Sequence, residues 1–324
     1  MNKKSYIVQK IAILIVNTLL LSSCLKEDMS NCPEQIRVYF DINTLDGADE
    51  INPNDVDRMN LYVFCNKGYY LGEYRDDHIT DFDPDNYYID CSDLLPGKYR
   101  FIAWAGKDEN FFNTTPEPFV KGKTKFEKAL LALKHSNGMV TDKVHHLFHS
   151  ELPATVTNEK VQRFDMPLIQ QTNTINIRTV GLLTDDCTYS FNITDNNNIY
   201  NFDSSFATDI TDATFTYTAP FTKDGMHQLH STLNVMRLAA NRQTPQLQIY
   251  NETTGTTLYP FGNYSGDLIG LIKSAYPKND FEKTHTYDIV LVFGNGNGDG
   301  DTNFTMTILI NGWQVREQNN DLVE

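Results

Sequence analysis

The chain has 324 residues, 40% hydrophobic and 21% charged, which permits packed cores and excludes a disordered or collagen-like polymer. Acids outnumber bases 42 to 27, and a surface with a formal charge of −15 repels phosphate backbones, so no nucleic-acid role is expected. Seventeen Tyr and 19 Phe against 2 Trp suit strands better than long helices, and the length allows two domains at ~150 residues each.

The first element is a leader. Lys3, Lys4 and Lys10 form a basic stretch without acids, and Ile11 to Leu21 is apolar apart from Asn17 and Thr18. That run is shorter than the ~20 residues a membrane-spanning helix needs, so it reads as a signal-peptide core. Leu21-Ser22-Ser23-Cys24 follows and resembles a bacterial lipobox, in which the cysteine thiol takes a diacylglycerol and its amine becomes the new N-terminus. The alternative is an ordinary signal peptide with a cysteine nearby. The lipobox reading makes residues 1–23 the signal peptide and 24–34 a lipidated linker. Losing Lys3, Lys4 and Lys10 takes the formal charge from −15 to −18. Acyl chains contributing ~0.8 kcal/mol per buried CH₂ then hold the body on the outer membrane without a spanning helix. Lys26-Glu27-Asp28 resembles a short Lys-plus-acid tag for export to the outer face, or serves as a solvated linker.

Period-two alternation follows along the chain. Ile36, Val38, Phe40 and Ile42 mark one strand; Met59, Leu61 and Val63 oppose Tyr62 and Phe64 in the next; Tyr99, Phe101 and Ala103 alternate with Arg100, Ile102 and Trp104 in a third. Later come Ile175/Ile177, Phe215/Tyr217, Leu247/Ile249, Tyr287 to Phe293 and Phe304 to Ile310. Turn residues at Asn66-Lys67-Gly68, Pro96-Gly97, Asp224-Gly225 and Asn295 to Gly300 separate them. The pattern predicts an all-β fold of sandwiches whose strands are buried on one face. One exception is expected: Phe126, Ala129, Leu130 and Leu133 recur at helical spacing, which predicts a short helix over 125–134 in the first domain. Polar Gln170 to Asn173 separates two alternating segments, placing the domains at 35–169 and 170–324.

Chemistry-bearing groups are sparse. With Cys24 assigned to lipid, Cys32, Cys65, Cys91 and Cys187 remain as disulfide candidates, with three possible pairings, or as buried thiols. His145-His146-Leu147-Phe148-His149 places two histidines at i and i+4, but position 146 is His where a zinc protease has Glu, and no third ligand is indicated. Asn295, Asn297, Asp299 and Asp301 resemble the start of a calcium loop, but its twelfth position is Met306 inside a strand, so a long hairpin connection is the better account. No G-x-S-x-G and no helix-opening G-x-G-x-x-G occurs. Neither an enzyme nor a cofactor is expected, and Trp104 reads as a core residue.

The ordered combination of Asn31-Cys32-Pro33, Val56 to Phe64, Tyr69-Tyr70-Leu71, Leu94 to Gly106, Leu147-Phe148-His149 and Trp313-Gln314-Val315 behind a lipobox resembles the FimB-type fimbrial anchor lipoproteins of the Bacteroidales fimbrillin superfamily. Cys65 departs from the polar turn residue more usual in that family. The resemblance implies two tandem transthyretin-like β-sandwiches, an outer-membrane location at the fimbrium base, pilin subunits as partners, and a role in ending or limiting fimbrial growth. The expected contact is β-strand addition, made by the C-terminal segment Trp313 to Glu324 with Trp313, Gln314 and Val315 as contact residues, or by a groove in the first domain. Alternatives with the same leader and fold are a glycan-binding surface lipoprotein of a nutrient-uptake system and a fimbrial tip adhesin.

Overall fold

The computed structural model describes residues 35–42, 49–182, 187–207, 214–224, 228–242, 244–260, 265–295 and 304–318. The first half carries β1 (Gln35–Asp41), β2 (Met59–Cys65), β3 (Tyr70–Asp76), β4 (Tyr88–Asp90), β5 (Gly97–Ala105) and β6 (Phe112–Thr115). It continues with β7 (Leu130–Leu133), β8 (Met139–Val140), β9 (Phe148–Val156), β10 (Val161–Pro167) and β11 (Ile169–Gln170). The second half opens with β12 (Thr172–Val180), β13 (Tyr189–Asp195), β14 (Ile199–Asn201), β15 (Phe215–Pro220), β16 (Thr222–Lys223) and β17 (Gln228–Met236). It closes with β18 (Gln246–Asn251), β19 (Thr256–Tyr259), helix α1 (Leu268–Ala275), β20 (Thr286–Asn295), β21 (Phe304–Ile310) and β22 (Trp313–Gln318).

In the first sandwich, β1 lies between β10, to which it is parallel, and β4, to which it is antiparallel. Its alternation turns Ile36, Val38 and Phe40 inward with no exposed surface, where they pack with Leu61, Val63, Phe101 and Ala103 of the facing sheet. That sheet runs β11-β9-β5-β2-β3. The expectation of strands buried on one face fails here. Tyr62, Phe64, Ile102 and Trp104, on the opposite face of β2 and β5, are also buried, in a second core that runs on through Ile175, Phe191, Leu247 and Ile310. A strand buried on both faces reads as near-continuous apolar sequence, as Leu61-Tyr62-Val63-Phe64 does.

The second half stacks a six-stranded sheet, β16-β17-β12-β20-β21-β22, on a five-stranded one, β19-β18-β13-β15-β8. Two pairings join the halves: β8 adds to β15, and β14 pairs with β7 in the sheet β14-β7-β6. Side chains tie the same seam. The Asp49 carboxylate accepts from the backbone N–H of His285 and Thr286 at 2.7 and 3.0 Å, and Asn234 Nδ2 donates to the Val144 carbonyl at 2.7 Å.

The helix expected over 125–134 is absent. Phe126–Lys128 forms one 3₁₀ turn, and Leu130–Leu133 is strand β7, hydrogen-bonded on both sides by β6 and β14. Leu133 fits the helical stripe, but with Leu131 it also fits a period of two, and ten residues make a marginal helix in water, so two rows of long-range hydrogen bonds prevail. The one α-helix among the described residues is α1 in the second half, capped by Asp267, whose Oδ1 accepts from Gly270 N at 3.0 Å. It packs Leu268, Ile269 and Ile272 into the shared core.

His149 makes the seam sensitive to acid. It is buried against Trp104, with ring centroids 4.6 Å apart, and its Nε2–H donates to the Phe202 carbonyl at 3.1 Å. Burial holds its pKa down to about 4, against an unfolded value of ~6.5. Burial lowers His146 and His285 in the same direction. Because the folded pKa is depressed, the full stabilisation is present above ~6.5 and is lost as pH falls toward 4. Urea unfolding should show His149 alone costing about 2 kcal/mol between pH 7 and pH 5, and His149→Gln should flatten that part of the slope. An unchanged slope in the variant would contradict this assignment.

Candidate functional site

Strand addition requires a sheet edge with unpaired backbone groups. At the C-terminal edge of the six-stranded sheet, Asn311 (φ 48°) and Gly312 (φ 79°) both adopt the left-handed region and form the two-residue turn that joins β21 to β22. The turn is pinned to the neighbouring strand: Asn311 N donates to the Asp288 carbonyl, and Asp288 N donates to Asn311 Oδ1, both at 2.8 Å. Ile310 then pairs with Trp313 and Leu309 with Gln314, while Ile308 pairs with Arg316. Val315 is thereby the extra residue of a β-bulge.

Trp313, Gln314 and Val315 lie in an antiparallel strand, and residues 319–324 lie outside the described residues. Asn311-Gly312 was the missed signal, since Asn-Gly between alternating apolar residues is a strong short-range mark of a hairpin. β22 is the terminal strand of its sheet, so among the described residues its outer edge faces no other strand. The flanking pair Ile310–Trp313 exchanges its N–H groups across the hairpin, and the Gln314 amide therefore points to the outer edge.

The other expected contact, a groove in the first sandwich, is filled by β1. Its two neighbours, together with bonds from Gln35 N to the Lys160 carbonyl (2.8 Å), Cys91 N to the Ile36 carbonyl (2.7 Å) and Leu168 N to the Asp41 carbonyl (2.6 Å), satisfy the strand along its length. Polar accounting leaves no place there for an incoming strand.

Cys65, Cys91 and Cys187 are thiols that are not joined to one another, so pairings among these three are not formed. Cys91 is buried against β1, and burial pushes its thiol up to about 12. Cys32 lies outside the described residues, as do Cys24, Lys26, Glu27 and Asp28. So do Asn297, Asp299 and Asp301, while Asn295 ends β20.

The histidine cluster is divided by its backbone. His145 Nδ1 stands 3.7 Å from Asp57 and 3.9 Å from Asp108, His146 Nε2 stands 3.8 Å from Asp55, and His149 turns away to Phe202. The Arg58 guanidinium already supplies positive charge to Asp57 and Asp108, at 3.2 and 3.3 Å. Among the described residues no group of three His, Cys, Asp or Glu side chains is placed to hold a metal ion. Trp104 is fully buried and stacked on Tyr200, so it is a core residue and not a platform for a sugar. An open depression of about 500 Å³ crosses the polar face of β17, β12 and β20, where Asn176 bonds to both Thr232 and Asp288 and its described lining holds no Trp, Tyr or Phe.

The sequence matches no curated protein. Several solved structures share the fold. Mfa2, the fimbrial anchor protein of Porphyromonas gingivalis, aligns with a TM-score of 0.68 at 20% identity, over 89% of this chain and 100% of that one. A candidate polysaccharide-binding protein of the DUF1812 class from Bacteroides thetaiotaomicron aligns with a TM-score of 0.68 at 20% identity, over 88% and 98%. A candidate adhesin from Bacteroides ovatus gives 0.66 at 20% identity, over 92% and 98%. The model for fimbrillin-A associated anchor proteins Mfa1 and Mfa2 matches residues 29–319, most of the chain, and the chain therefore belongs to that family.

Proposed function

We propose that this chain is lipidated at Cys24 once its leader is removed, is exported to the outer face of the outer membrane with the help of Lys26-Glu27-Asp28, and holds a fimbria at its base by strand addition. In this reading the two sandwiches, 35–169 and 170–324, are interlocked through β8 and β14 and act as one body between membrane and fimbria. The observation that carries it is the contrast between two strands. β1 is paired on both sides and buried, so its place in the first sandwich takes no strand from another subunit; β22 ends its sheet, with no strand beyond it among the described residues. A polymer whose subunits join by exchanging strands ends at a member with no groove to fill, which suits an anchor that stops growth. Affinity comes from main-chain hydrogen bonds along β22, and the bulge at Val315 restricts the registers a partner strand can adopt.

Two measurements test this. Cys24→Ala should move fimbriae from the cell-bound fraction to the medium while the chain remains folded; unchanged retention would refute the lipid anchor. Gln314→Pro removes one outward N–H from an edge strand, where proline is tolerated, without taking a bond from the β21 ladder. It should lower the yield of attached fimbriae several-fold with less than ~1 kcal/mol change in stability. Full attachment by the folded variant would move the contact away from β22.

A further inference from the structure

Half of the lysines among the described residues gather at one end of the first sandwich, and we infer that this end rests on the anionic phosphate headgroups of the membrane surface. The inference takes the Cys24 anchor of the preceding section as its starting point.

The register places the elements. β5 begins at Gly97, which pairs with Val156 at the end of β9; β2 ends at Cys65, opposite Tyr99; and β10 begins at Val161, opposite Gln35. The turns 66–69, 92–97 and 157–160 therefore share one end with the start of β1, eleven residues past Cys24. The segment 120–128 joins them, because Gly122 N donates to the Tyr70 carbonyl, Tyr70 N to the Thr124 carbonyl and Phe126 N to the Gly68 carbonyl, all within 2.8 Å.

Lys67, Lys121, Lys123, Lys125, Lys128 and Lys160 stand on these turns and Lys98 is the second residue of β5; six are exposed and Lys160 is half-buried. Only Asp93, Glu127 and Glu159 oppose them on the same turns, although acids outnumber bases 42 to 27 in the whole chain. The arrangement at 121–126 is built in by alternation. Thr124 and Phe126 turn inward, Phe126 against Phe64 at 5.5 Å between centroids, so Lys121, Lys123 and Lys125 all turn outward. Leu95, 76% exposed, and Val161, 57% exposed, add apolar tips at the same end.

Position, charge and exposed apolar tips favour one occupant. An eleven-residue tether spans at most ~40 Å, so a chain held at Cys24 keeps this end close to the lipid. Cationic side chains near a surface of anionic headgroups are attracted within a Debye length, and isolated apolar tips enter the headgroup layer. The acidic remainder of the body is repelled by the same surface, which stands the molecule on this end. The far end of β5, nine residues along and ~30 Å away, then points outward.

The test uses the processed chain mixed with vesicles of phosphatidylcholine with or without phosphatidylglycerol, followed by acetylation with a water-soluble reagent and mass spectrometry of each lysine. At low salt, Lys121, Lys123 and Lys125 should be labelled about five-fold more slowly on the anionic vesicles, with Lys278 of the second half unchanged and the difference erased at high salt. The chain carrying Lys121→Glu, Lys123→Glu and Lys125→Glu should lose the anionic preference at its remaining lysines. Equal labelling on both vesicle types overturns the inference. So does protection seen on fimbriated cells but absent on vesicles, which would assign the patch to an acidic protein partner. The anchor is judged separately: release of Cys24→Ala from cells with indifferent lysines refutes the lysine contact alone, whereas retention of Cys24→Ala refutes the anchor.

Discussion

Strand β2 and the second half of β5 are buried on both faces, and the rest of the molecule depends on that constraint. On one face Leu61, Val63, Phe101 and Ala103 close over β1; on the other Tyr62, Phe64, Ile102 and Trp104 meet Phe119, Tyr200 and Phe202 and extend into the core of the second half. Strands with no wet face cannot shed either neighbour without exposing several large side chains, each contributing ~1.5–3 kcal/mol by burial. The halves are therefore coupled by packing, and the pairings of β8 with β15 and β14 with β7 add directional bonds to a seam that is already closed.

This construction fits the proposed role, in which the protein is placed under tension between a membrane and a fimbria. The chain begins at one end of the first sandwich, is locked at once by β1 between β10 and β4, and reaches the second half from the opposite end of those strands. A pull on the leader side loads β1 along its whole length, with hydrogen bonds on both sides resisting together. The terminal strand β22 belongs to the other half and is held by a turn fastened to Asp288. In the proposed function, attachment and polymer contact would thus fall on different sheets.

Much of the architecture was legible in the residues. Alternation located β1, β2, β5, β12, β20 and β21, because a strand with one face inward must alternate wherever its other face is wet. The family pattern, from Val56 to Phe64 and Leu94 to Gly106, also held at the level of family and fold. Residues 125–134 misled because Leu130 and Leu133 complete a helical stripe while Leu131 and Leu133 satisfy a period of two, and only partners distant in sequence decide between them. Likewise, α1 is announced by Asp267 as a cap, but its eight residues are too few to stand out from the strands around it. The histidines of 145–149 looked like one group in sequence and separate in space because the chain enters β9 extended, sending neighbours to opposite faces.

Sequence alone determined what local chemistry determines: the order of basic stretch, apolar run and Leu21-Ser22-Ser23-Cys24, the inward faces of the main strands, the turns, and the sandwich class. Tertiary structure alone decided that β1 fills its own groove, that Trp313–Gln318 is a paired edge strand, and that lysines from four separate segments share one end. The physical reason is range. A side chain's preference for inside or outside, or for a turn, is set within a few residues, whereas the identity of the strand across a hydrogen-bond ladder is set by cores assembled from segments more than a hundred residues apart.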